Sequence, residues 1–210
     1  MKLFLTYMAM LAAATPSAFA QPAEPRQPTT ARDLRALHDF ARCVALGRPA
    51  RVREVLMLDP AVEGTTEQFI RLTDQANNCT SGRLMGGGLM FRGALAEALL
   101  RRDLGGRSIA AATAFNPALP PLQAHDAAEF MGMCLIRTHP AQVEALFASP
   151  VGSGEELGAL NALRPHLGDC IPQGQNAALN LHGIRAALAA AGYRLLHHNA
   201  NSTNASSDRR

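Results

Sequence analysis

Phe40-Ala41-Arg42-Cys43-Val44-Ala45-Leu46-Gly47-Arg48-Pro49-Ala50-Arg51-Val52 and Phe130-Met131-Gly132-Met133-Cys134-Leu135-Ile136-Arg137-Thr138-His139-Pro140-Ala141-Gln142-Val143 decide how this chain is read. Laid on each other at Cys43 and Cys134, the two stretches place a cation and then a proline at the same distance from the cysteine, as Arg48-Pro49 and His139-Pro140. The next cysteines, Cys79 and Cys170, follow at equal intervals, so that Cys-x35-Cys occurs twice. Beyond them, Leu89 to Ala96 matches Leu179 to Ala186 after one residue of slippage. Three matches in the same order predict an ancient duplication of one unit, and a mere two copies do not predict a long solenoid.

Each copy reads as four short helices. The first opens on Thr30-x-x-Asp33 and, in the second copy, on Asp126-x-x-Glu129, both resembling capping boxes, and Leu34, Leu37, Ala41 and Val44 fall on one helical face. The second begins at Pro49 or Pro140, where proline suits the first helical position, and buries Val52, Val55 and Leu56, or Val143, Leu146 and Phe147. Thr65-x-x-Gln68 and Ser153-x-x-Glu156 announce the third as further capping boxes, with Phe69 and Leu72, or Leu157, Leu160 and Leu163, facing inward. Pro165 should interrupt the second version. The fourth, from Leu89 to Arg102 and from Leu179 to Leu196, is rich in alanine and leucine, hence a strong helix former with faces small enough for close packing. Gly105-Gly106 ends the first of these.

The N-terminus carries Lys2, an apolar run from Leu3 to Ala14, and the small-x-small triplet Ala18-Phe19-Ala20, the order of a secretory signal peptide cleaved after Ala20. The run is shorter than the ~20 residues a membrane span requires. A soluble periplasmic or secreted protein is therefore expected. The expected organisation is a signal peptide over 1–20, a disordered linker over 21–31, a helical repeat over 32–103, an Ala/Pro-rich linker over 104–121, a second repeat over 122–198 and a disordered, Asn/Ser-rich tail over 199–210. The fold class is all-α: two tandem copies of a small multi-helix unit, each with one internal disulfide.

Export delivers cysteines to an oxidising compartment, where an even number normally pairs. Four cysteines allow three connectivities. A unit that stood alone before duplication had only its own pair, which selects Cys43 with Cys79 and Cys134 with Cys170. Each bridge would tie the first helix to the end of the third and contribute up to ~4 kcal/mol. Neither Cys-x-x-Cys nor a Cys/His cluster of zinc-finger spacing occurs, which argues against redox and metal roles for these thiols.

Composition narrows the function classes. The formal charge of +3 includes Lys2, the sole lysine, so that without a signal peptide every cation is arginine or histidine and lysine nucleophiles are excluded. A balance so close to neutral gives no basic stripe for nucleic acid. Histidine is uneven: His38 stands alone in the first copy, while His125, His139, His166, His182, His197 and His198 lie in or after the second. A metal site there competes with the plainer reading that His139 and His182 replace Arg48 and Arg92 as cations near helix ends. Met131, Met133 and Cys134 resemble a soft copper site, as do Met85 and Met90, but methionines at helical spacing are usually core filler. Gly86-Gly87-Gly88 lacks the Lys-Ser/Thr of a phosphate loop. Ser153 lacks the spacing of a nucleophile elbow, and Glu155-Glu156 suits the first turn of a helix. No catalytic, cofactor-binding or metal-ligating residue is assigned, and no cofactor is expected.

The doubled pattern of Cys43 with Arg48-Pro49 and Cys134 with His139-Pro140, each followed by a second cysteine, resembles exported, uncharacterised proteins of alphaproteobacteria over about Asp33 to Leu196. The resemblance implies an envelope location and transfers no activity. The leading expectation is a non-enzymatic helical module that binds a protein partner of the cell envelope. The alternative is a small-ligand or metal-binding protein using the cleft between the copies and the histidines of the second.

Overall fold

The computed structural model describes residues 30–74, 76, 78–79, 88–175 and 179–207, without the side chains of 201–207. The expected signal peptide, most of the linker expected after it, and Met85, Gly86 and Gly87 lie outside the described residues. Among the described residues the structure is helical and contains no strand. Its α-helices are α1 (Ala31–Gly47), α2 (Pro49–Leu56), α3 (Thr65–Asp74), α4 (Gly88–Leu104), α5 (Ile109–Ala112), α6 (Ala127–Thr138), α7 (Pro140–Ala148), α8 (Gly154–Leu163) and α9 (Leu181–Ser207).

Local signals explain most of the boundaries. Thr30 and Asp33 close a reciprocal capping box on α1, and Pro49 and Pro140 occupy the first turns of α2 and α7. Asp126 and Ser153 accept from the backbone N–H groups of Glu129 and Glu156 at the starts of α6 and α8. In both cases the glutamate reaches back one residue further than a capping box does: Glu129 to the N–H of His125 and Glu156 to that of Gly152, each at 2.7 Å. At Pro165 the backbone leaves α8 through a 3-10 turn over Arg164–His166. Gly105 and Gly106, at φ 57° and 86°, take the left-handed conformation that terminates α4.

Three local expectations are corrected. Thr65 is the first residue inside α3 and not its cap; its hydroxyl, buried, donates to the Asp59 carbonyl at 2.9 Å, while Gln68 accepts from Arg51. Leu157 is 48% exposed, because α8 turns its Leu160 and Leu163 side inward. The last helix does not stop at Leu196 but continues to Ser207, through the first part of the predicted disordered tail; Asn199 anchors it by donating to the carbonyls of Ala112 and Ala114.

The four cysteines fall into two pairs at disulfide distance, Cys43 with Cys79 and Cys134 with Cys170, each with Cα atoms 5.5 Å apart. Each pair fastens α1 or α6 to the segment preceding the next long helix.

The core does not divide at the linker. α4 is apolar nearly all round, with Phe91, Ala94, Leu95, Ala96, Leu99 and Leu100 all buried, so one neighbour cannot cover it. It lies between α1 and α9, and α9 in turn lies between α4 and α6. A single hydrophobic cluster therefore contains Phe40, Val44 and Leu72 of the first half together with Leu135, Leu163 and Leu188 of the second. The apolar circumference of α4 and α9 is why the two halves of the chain share one core.

Gly93 permits the central crossing. A Cβ on Gly93 would overlap the backbone of Ala186, so α4 and α9 approach to the limit set by their main chains. Gly132 plays a similar part between α6 and α9, where a Cβ would stand 2.8 Å from that of Ala191.

Candidate functional site

Arginines on helices that are otherwise alanine and leucine carry a high cost of burial, so where they go is the central question of the site. Arg185 on α9 is 2% exposed. Its Nε and Nη2 donate to the two carboxylate oxygens of Glu97 on α4, at 2.8 and 2.7 Å, a bidentate pair. Its Nη1 donates to Glu156 of α8 at 3.0 Å, and Nη1 and Nη2 both reach the Ser149 carbonyl, which follows α7, at 3.3 Å. Glu97 also accepts from Arg101 at 2.7 Å, and His38 stands 3.9 Å away. Burial opposes charge on Arg185, and the hydrogen bonds and charges of Glu97 and Glu156 more than offset it, raising its pKa above the ordinary value. Burial likewise works against the Glu97 carboxylate, and Arg185 reverses it, leaving the pKa lowered. This cluster is closed and internally satisfied.

Arg92 on α4 is 6% exposed and in a different state. Its Nη2 donates to the carbonyls of Leu56 and Leu58, which close α2, at 3.1 and 3.2 Å. Its Nε and Nη1 are buried without a hydrogen-bond partner, and among the described residues no carboxylate lies within 4.0 Å of it. Burial lowers its pKa, with Glu129 acting in the opposite sense.

Arg92 borders a cavity of about 370 Å³ formed by both halves of the chain. Pro60, Thr65 and Phe69 wall it from the first half, and Ala128, Ala187 and Ala190 from the second. The carboxylates on its rim are engaged elsewhere. Glu129 is bound by Arg194 and by the N–H of His125, and Asp126 caps α6.

Arg92 and Arg185 make one similar contact: each guanidinium donates to a carbonyl at the end of a proline-started helix. Matching Leu89–Ala96 to Leu179–Ala186 set Arg92 against His182. At the crossing it is Ala186 of α9 that Gly93 of α4 meets.

The histidines do not converge on one site. His125 lies beside Glu129 with Nδ1 3.3 Å from it, His182 stands 4.0 Å from Glu156, His139 and His166 stack at 3.8 Å, and His197 meets the edge of Tyr193. Among the described residues, no three His, Cys, Asp or Glu side chains are placed to hold a metal ion. Met131 and Met133 are buried in the core, with Met90 packed against it. Ser153 serves as a cap, Glu155 is held ionised by the Ser153 hydroxyl, and Gly88 begins α4. Sequence reading took Arg92 only as a cation near a helix end and passed over Glu97 and Arg185. Their signal was present as charge set into runs of alanine and leucine that leave no polar face to hold it.

Comparison of the chain with protein-family models, with curated proteins and with solved structures found no match.

Proposed function

We propose that this is an exported, duplicated helical protein that binds a small molecule in the cavity between its halves. The observation that carries the reading is the cavity itself, mostly apolar, walled by both halves of the chain and bordered by Arg92, Asp126 and Glu129. A concave, mostly apolar space with a few convergent polar groups is the usual form of a small-molecule site, and about 370 Å³ falls toward the lower end of the ~300–1,000 Å³ such sites occupy. The paired disulfides and the lack of any helix long and apolar enough to cross a membrane among the described residues are compatible with a periplasmic or extracellular setting. A ligand held between the halves gives duplication a use, since each copy supplies one wall. Of the two expectations from sequence, small-ligand binding gains support from the cavity, and its metal variant does not.

A neutral probe tests the cavity itself. Octan-1-ol, added to the purified protein with both disulfides formed, should shift the methyl resonances of Leu89, Leu179, Ala187 and Ala190 and leave those of Leu46 and Leu157 unmoved. Shifts that spread evenly over the surface, or none at any concentration, would remove the reading. A protein partner of the envelope is the second reading; Leu46 and Phe130, about half exposed on α1 and α6, are where its footprint is to be sought.

A further inference from the structure

We infer that the cavity takes a small uncharged molecule, mostly hydrocarbon, because the charged groups at its border are engaged within the protein while Phe69, Leu89, Ala128, Leu179 and Ala187 offer an apolar wall. The inference rests on the cavity being a ligand site and goes on to name the ligand's chemistry.

The buried polar atoms of the wall are taken or withdrawn. Arg92 donates from Nη2 to the carbonyls of Leu56 and Leu58, and its Nε and Nη1 are buried, with no surface to offer a ligand. Glu129 accepts from Arg194 on one oxygen and from the His125 N–H on the other. The buried Thr65 hydroxyl donates to the Asp59 carbonyl. Among the described residues, no buried side chain of the wall is left to replace the hydration that a charged group loses on entering, and that loss is costly.

The fixed charges do not make up for that loss in either sign. Arg92 attracts an anion, but Asp126 and Glu129 repel it; the same two acids attract an ammonium, but Arg92 repels it. Arg194, paired with Glu129, brings the two signs into balance. Burial already disfavours the charge of Arg92, and a second cation beside it would add to that cost. An uncharged molecule meets neither opposition and gains the burial of its own apolar surface.

One polar but neutral end is tolerated. Asp126 caps α6 through one oxygen and is exposed, as is Thr66 beside the cavity. A ligand hydroxyl at this exposed border donates to the Asp126 carboxylate and keeps water on its other side. The rest of such a molecule lies between a wall from each half, Phe69 and Leu89 on one side and Ala128 and Ala187 on the other, which favours an aliphatic or aromatic body over a sugar.

Calorimetric titration of the purified, oxidised protein near neutral pH with octan-1-ol, octanoate and octylammonium, which share a chain length and differ in charge, tests the inference. Octan-1-ol should bind at one site, about tenfold or more tightly than either ion. Butan-1-ol should bind more weakly than octan-1-ol, by up to about fourfold for each methylene removed. Ala128→Phe, which adds a ring to the wall, should weaken octan-1-ol about tenfold or more. Should that variant fail to fold, shifts of the Leu89 and Leu179 methyl resonances in the unaltered protein locate the alcohol instead. Either ion, or butan-1-ol, binding as tightly as octan-1-ol would overturn the uncharged hydrocarbon ligand and leave the cavity as a ligand site. Octan-1-ol that binds without regard to Ala128→Phe and without shifting Leu89 or Leu179, or failure of every probe to bind, would overturn both.

Discussion

Gly93 and Ala186 meet at the crossing of α4 and α9 with no space between them for a methyl group. Gly93→Ala should therefore force the two central helices apart, at a cost of about 1–3 kcal/mol or more. Gly47 at the end of α1 has no atom within 4 Å of where its Cβ would stand, so Gly47→Ala should instead stabilise by roughly 0.5–1 kcal/mol. Urea denaturation of the two variants compares them, and equal effects would contradict the close crossing.

Arg185→Met leaves Glu97 and Glu156 buried with their main counter-charge gone. The expected loss is about 3–5 kcal/mol. Glu97→Gln should cost less, because Arg185 keeps Glu156 and the Ser149 carbonyl. Unfolding free energies should rank in that order, and a reversed ranking would deny Arg185 its place at the centre of the cluster.

Acid should weaken the fold in two stages. His38, His125 and His197 have pKa values lowered, in each case chiefly by burial. The unfolded chain therefore binds their protons more readily than the folded one, and stability declines as pH falls below the ordinary histidine value of 6.5. Glu97, whose pKa is also lowered, contributes stability that is full above its ordinary 4.5 and is lost as pH falls through its folded value. Urea midpoints from pH 8 to pH 3 should show both declines. His38→Gln should flatten the first and Glu97→Gln the second.

Removing either cysteine pair by Cys→Ser replacement should cost about 2–4 kcal/mol, since each bridge closes a loop between cysteines 36 residues apart. Peptide mapping without reductant checks the pairing directly: fragments joining Cys43 to Cys79 and Cys134 to Cys170 are expected, and one joining Cys43 to Cys134 is not.

The features legible in the sequence were those set by neighbours along the chain. Thr30 with Asp33, the prolines at 49 and 140, Ser153 before α8 and the equal spacing of cysteines each act over a few residues or within one loop, and each appears where it was read. The features that escaped depend on contacts across the crossing. Nothing near Arg92 in sequence says that Ala190 lies toward it, or that Glu97 belongs to Arg185, because those pairings are fixed by the register of α4 on α9. Nor does glycine as a marker in sequence say that the residue meeting Gly93 is Ala186. Thr65 shows a smaller version of this, a cap-like residue used for a longer-range bond to Asp59.

Because α4 finds its second neighbour in α9, the half of the protein that is synthesised first is completed last. Without α9 the bridge between Cys43 and Cys79 can hold only α1 to α4, with the α9-facing side of α4 bare. A truncation anywhere before α9 therefore removes a wall from the first half as surely as from the second.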